Sequence, residues 1–210
     1  MNLGHKPFLR GHFHQAAFFI SLGACSLLVV KSHQGDSFWA TIIYSISLVS
    51  LLGISALYHR INWQPSARMF MRRLDHAAIY FLIAGTMTPL SLLCLSKSSS
   101  HKLLVIAWSV AGIGILLSVL FTKNPKWLNS VLCAGAALVI VPYLSEMAHH
   151  LGSRNLVLSV VGAAAYAIGA MTYALKRPNL FPMIFGYHEV FHILVVVGAG
   201  SHFMVIHSLV

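Results

Sequence analysis

The chain has 210 residues, is 58% hydrophobic and 9% charged, and has a mean hydropathy of +0.78. Soluble domains carry about a quarter charged residues, so this chain cannot clothe a water-facing surface and belongs in a bilayer. The formal net charge is +10 with four acids in all; in a membrane chain such an excess reflects basic loops against anionic lipid, and no aromatic-interleaved basic patch argues for nucleic acid.

Apolar runs predict helices over 13–30, 38–58, 77–95, 102–121, 127–147, 156–175 and 188–208, each near the ~20 residues that a bilayer core demands. The expected fold is an all-α membrane protein: a seven-transmembrane helix bundle, one domain over 1–210 with a short cytoplasmic arm at 1–12. The first run ends at Val30-Lys31-Ser32-His33 without a small-x-small cleavage site, so it is read as retained. Cys25, Cys94 and Cys133 fall inside apolar runs, are odd in number and form no C-x-x-C; they read as small packing residues. Pro89 and Pro142 fall inside spans three and five and should kink them.

Orientation follows from the 14 Lys and Arg. Lys6, Arg10, Arg60, Arg68, Arg72, Arg73, Lys123, Lys126, Lys176 and Arg177 fall on one side; Lys31, Lys97, Lys102 and Arg154 fall on the other. Ten against four places the N-terminus in the cytoplasm and the C-terminus outside, opposite to a G-protein-coupled receptor.

Ionisable residues inside a membrane are costly, so each needs an account. Ser55 and His59 end span two in "GISALYHR", Asp75 and His76 begin span three in "RRLDHAAIY", and His188, Glu189 and His192 begin span seven in "GYHEVFHILVVVGAGSHFMVI". In the charge-derived topology all three sets sit near the cytoplasmic face. Residues i and i+4 of a helix differ by about 40° in direction and about 6 Å in height, so His188 and His192 share a face, and so do Ser55 and His59. Two imidazoles from one helix and one from another make a three-coordinate site with an open fourth position, the pattern of a catalytic zinc centre. Asp75 would accept a hydrogen bond from a water there, as base or orienter, and Ser55 would donate to a substrate carbonyl or position the same water.

The other histidines read as less informative. His5, His12 and His14 fall on the N-terminal arm and His149 and His150 in an outer loop, where solvation is the default. His202 lies about 15 Å further along its helix than His192, too far to share a metal, and packs in the outer half. His207 is close to the outer interface, His76 points about 100° away from Asp75, and Glu146 reads as a solvated interfacial acid.

These segments resemble a known family. "SALYH", "LDHAAIYFLIAGTMTPL" and "HEVFHILVVVGAGSHF" look like the three signature segments of the progestin and adipoQ receptor family, and most like its haemolysin III branch. The resemblance spans most of the chain and implies a seven-span, N-inside layout. It implies zinc held by His59, His188 and His192, with Asp75 and Ser55 in support. The wider superfamily includes alkaline ceramidases, which hydrolyse a lipid amide. One departure is the segment before span one, where the family often carries an acidic, asparagine-containing motif; "FLRGHFHQAAFFISLG" has no acid and no asparagine.

"HEVFH" also matches H-E-x-x-H, the zinc-protease spacing. Site-2-type intramembrane proteases take their third ligand from L-D-G on a later helix. Here the only L-D, Leu74-Asp75, precedes the pair and is followed by His76, so the match reads as accidental. Glu189 then reads as an interfacial acid near Arg177 or the Arg72/Arg73 pair.

Three functions compete. The first is a zinc-dependent intramembrane hydrolase of a lipid amide or ester, its partner a ceramide-like or acyl lipid reached from the cytoplasmic leaflet. The second is a receptor or membrane-homeostasis sensor with a structural zinc. The third is a pore-forming haemolysin, against which stand the retained spans and the absence of an amphipathic pore-lining strand pattern.

Overall fold

The computed structural model describes residues 7–32, 35–121, 126–181 and 183–210; His5, Lys6 and Lys123, which entered the charge and histidine arguments, lie outside them. The elements are α1 (His12–Lys31), α2 (Asp36–Arg60), α3 (Pro65–Cys94), α4 (Lys97–Leu120), α5 (Lys126–Leu138), a 3-10 turn (Val141–Tyr143), α6 (Leu144–Leu175) and α7 (Tyr187–Leu209). Among the described residues extended pairing is limited to an isolated bridge between Phe181 and Phe185.

Local chemistry explains many of the helix ends. Pro65 opens α3 at the first turn, where its missing N–H is no loss. Ser96 caps α4, and Glu146 accepts a hydrogen bond from the Ser96 backbone N–H at 2.7 Å. Glu146 thus caps a neighbouring helix. At the start of α7 the Glu189 carboxylate accepts from the Gly186 backbone N–H at 2.8 Å, the reciprocal half of a capping box. Lys176 ends α6 in the left-handed conformation, φ 56°.

Six helical stretches among the described residues are long and apolar enough to cross a membrane, and one of them, Trp127–Leu175, is 49 residues long. A straight helix of that length would run to about 73 Å, more than twice the ~30 Å hydrocarbon core. The chain is instead broken twice. Around Pro142 the α-helix gives way to the 3-10 turn, and at Gly152 the backbone takes φ 70°, ψ 166°, a region open only to glycine at little cost. By contrast, α3 continues through Pro89.

Side-chain pairings show how the two halves of this stretch lie. Tyr80 hydrogen-bonds Cys133, Ala84 clusters with Ala136, Met87 packs with Ile140 and Tyr143, and Ser96 meets Glu146. Residues 133–146 therefore climb alongside α3 in its own direction. The second half runs against α7: Gly162 packs on His202, Gly198 on Tyr166 and Gly169 on Phe191 and Leu194, and Tyr173 reaches the His188 ring at 5.5 Å.

The central helix is α3, packed by α2 on one side and α4 on the other. Close approach depends on small residues, as expected where lipid offers no hydrophobic drive between helices. A Cβ at Gly85 would overlap the Ser47 side chain of α2, and one at Gly114 would overlap the Tyr80 ring. Outward faces carry Phe19, Ile20 and Leu27 on α1, Ile113 and Leu116 on α4, and Val157, Val160 and Met171 on α6, all exposed. Such continuous apolar exposure has no stable counterpart in water, and the chain is a multi-pass membrane protein.

Candidate metal centre

His59 falls in the last turn of α2, and His188 and His192 fall in the first two turns of α7. The packing of α7 against α1 and α6, and of α3 against α2, brings these ends together. All three rings are buried, His192 to 1% exposure. Their centroids form a nearly equilateral triangle with sides of 4.6 Å (His59–His188), 4.7 Å (His188–His192) and 4.9 Å (His59–His192). One ring nitrogen from each lies within 4.8 Å of the others, so the three could hold a metal ion. The Nε2 atoms of His59 and His188 are 3.2 Å apart. Two nitrogens bound tetrahedrally at 2.0–2.1 Å from one zinc ion would be about 3.3 Å apart, so this pair already has the spacing of co-ligands.

Asp75, from the third turn of α3, approaches from one side. Its Oδ2 is 3.9 Å from His59 Nε2, and its side chain retains 15% exposure. The Ser55 hydroxyl, one turn before His59 on α2, is buried and hydrogen-bonds the Asp75 carboxyl group. Arg72 lies close enough to Asp75 to favour its charged form, and Tyr58 and Tyr173 lie within reach of the Asp75 charge. The five residues singled out from the sequence, Ser55, His59, Asp75, His188 and His192, therefore meet in one place.

Two readings of the sequence are corrected. Glu189 does not pair with Arg177, Arg72 or Arg73. It is 1% exposed, and its Oε1 accepts from the Arg10 guanidinium while Oε2 caps Gly186. The pairing is set by where the N-terminal segment lies: the Phe8 and Leu9 N–H groups donate to the Met183 and Ile184 carbonyls at 3.0 and 3.2 Å, drawing Arg10 across the mouth of α7.

His14 is not a solvated arm residue. It lies inside α1, is 3% exposed, and stacks on His192 with ring centroids 3.9 Å apart and planes 4° apart. The signal for it was present: His14 stands at the mouth of an apolar run, as His188 does, in "GHFHQAAFF". His12 does sit nearer the surface, stacked on Phe8 and 3.3 Å from an Arg60 nitrogen.

His202, His149, His150 and His207 stay apart from the centre. His202 Nδ1 is 2.9 Å from the Gly198 carbonyl, and its ring stacks on Tyr166. His149, His150 and His207 are exposed.

The chain matches the haemolysin-III related family over residues 3–203. It is 28% identical to the "Hemolysin-3 homolog" of Bacillus subtilis over 193 residues, covering 90% of this chain and 87% of that protein. It is 25% identical to "Hemolysin-3" of Bacillus cereus, covering 90% of this chain and 85% of that one. Identity to rice "Heptahelical transmembrane protein ADIPOR2" is 28%, with 80% of each chain covered. A buried three-histidine cluster in an all-helical membrane chain, with matches over nearly its whole length, places this protein in the haemolysin III related family, within the progestin and adipoQ receptor group.

Proposed function

We propose that this protein is a zinc-dependent intramembrane hydrolase of a lipid amide or ester. The reading rests above all on the Asp75 carboxylate, 3.9 Å from a ring nitrogen of a buried three-histidine cluster and still partly open. Three imidazoles with one open side suit a catalytic zinc better than a closed structural site. When bound, zinc would polarise a carbonyl and make water acidic near neutral pH. His59, His188 and His192 would hold it. Asp75 would take the proton of the attacking water and return it to the departing amine or alkoxide. Ser55 would hold the Asp75 carboxylate in line through its hydrogen bond. Burial of the three rings keeps bulk water from the rest of the centre.

The chain is read as one domain over 1–210 with seven crossings of the cell membrane, Trp127–Leu175 supplying two. The parallel run of residues 133–146 along α3 and the antiparallel run of α6 along α7 support this reading. The excess of Lys and Arg orients the N-terminus inward and the C-terminus outward, with the metal centre in the cytoplasmic half. The substrate is taken to be ceramide-like, entering from that leaflet.

The test is metal analysis of the detergent-purified protein alongside hydrolysis of short-chain ceramide and acyl-ester probes. Wild type should carry about one zinc per chain, and Asp75→Asn should keep the zinc while losing a factor of about 10²–10⁴ in turnover. Full turnover by Asp75→Asn sinks the assignment. Metal without turnover on either probe class favours the receptor or sensor role.

A further inference from the structure

A metal-binding imidazole is ordinarily held in orientation by a hydrogen bond from its second nitrogen to a carboxylate, carbonyl or water. The Nδ1 of His192 is buried and has no hydrogen-bond partner among the described residues. Where no such bond is made, packing against a neighbouring ring holds an imidazole's terminal torsion, whose well is otherwise broad. The face of His192 is covered by the His14 ring, 3.9 Å away and 4° from parallel. The polar edge of His14 faces the His192 backbone without a well-aligned hydrogen bond, while its ring face covers the His192 ring. His14 is also outside the group of residues whose ligand atoms converge, which holds His59, His188 and His192 alone among the described residues.

The segment that carries His14 is itself fastened to the centre. Phe8 and Leu9 bond to the 183–184 backbone, Arg10 pairs with Glu189 of the ligand helix, and Phe13 meets Phe185 edge-on at 6.0 Å. Gly11 has φ 83°, and a Cβ there would stand 2.7 Å from the Cβ of His59. The backbone thus lies against one ligand at residue 11 and places an aromatic face on another at residue 14.

We propose that His14 is a positioning residue of the metal centre, a ring platform that fixes the orientation of His192 by stacking on its face. The inference rests on the metal reading of the three-histidine cluster and is independent of whether the centre is catalytic. A flat aromatic ring without nitrogens should do the same work, and a methyl group should not.

The experiment is Co²⁺ binding to the purified full chain in detergent, followed by its visible ligand-field spectrum. The variants are His14→Ala, His14→Phe and Leu28→Ala, the last removing a fully buried α1 side chain outside the ligand cluster. Loss of an orienting partner costs about 10–100-fold in metal affinity. His14→Ala should show that loss with an altered spectrum, while His14→Phe and Leu28→Ala should keep the wild-type spectrum and bind within about threefold, well short of that cost. Failure of His14→Phe to rescue would make the nitrogens essential and His14 a ligand, overturning the proposal. So would an unaltered His14→Ala, or an equal loss in Leu28→Ala, which would show general loosening. Wild type that binds no Co²⁺ would instead remove the metal reading beneath it.

Discussion

Glu189 is the acid of "HEVFH", and its replacement separates a structural carboxylate from a catalytic base. The side chain is 1% exposed and that of its partner Arg10 is 20% exposed. Removing one member of a fully buried pair costs about 3–5 kcal/mol, chiefly because the other charge is left unpaired. Water reaches a fifth of Arg10, which brings the loss for Glu189→Gln down to about 2–3 kcal/mol. A glutamine carbonyl can serve the Gly186 N–H or Arg10, but not both well. Glu189→Ala also orphans the buried Gly186 N–H, adding about 1–3 kcal/mol. For a chain of this size each kcal/mol moves the melting point by about 2–4 °C, so Glu189→Gln should melt about 5–10 °C lower, and Glu189→Ala lower still. Arg10→Gln combined with Glu189→Gln should recover at least half of the loss, since no charge is then stranded. The assays are thermal unfolding in detergent, zinc content, and turnover per bound zinc below the transition. Turnover per zinc in Glu189→Gln should stay within about threefold of wild type, less than 1 kcal/mol of barrier. A variant that melts like wild type, or one that keeps its zinc and fold yet loses turnover a hundredfold, would refute this account and restore the protease-like role of the glutamate.

A reporter fused after Val210 should behave as extracytoplasmic, and a cytoplasmic signal there would reverse the topology. His59→Ala, His188→Ala and His192→Ala should each strip the metal, while His202→Ala, whose ring packs on Tyr166, should retain it; equal loss from all four would indicate misfolding. Gly85→Ala, which drives a methyl group into Ser47, should destabilise the α2–α3 contact by about 1–3 kcal/mol, read as a lower melting point with zinc content unchanged below the transition.

The sequence alone determined the features that depend on short separations along the chain. Apolar runs of bilayer length marked the helical stretches, because the hydrocarbon core sets a minimum length for a span, although six such stretches stand among the described residues where seven runs were read, the fifth and sixth runs falling in Trp127–Leu175. His188 and His192 could be placed on one face because helix geometry fixes the direction of residues four apart, and Ser55 and His59 share a face for the same reason. The break near residue 152 was legible in the polar stretch between runs five and six. Tertiary packing decided everything that depends on which helix lies beside which. The 3.2 Å between His59 and His188 joins positions 129 residues apart. The partner of Glu189 is Arg10, 179 residues away, where charge near the helix end pointed to Arg177 or Arg72 and Arg73, since proximity along a helix says nothing about a segment folded across its mouth. His14 shows the same limit. Its place at the start of an apolar run fits both a wetted interface residue and a buried one, and only the packing of α1 against α7 turns its ring onto His192.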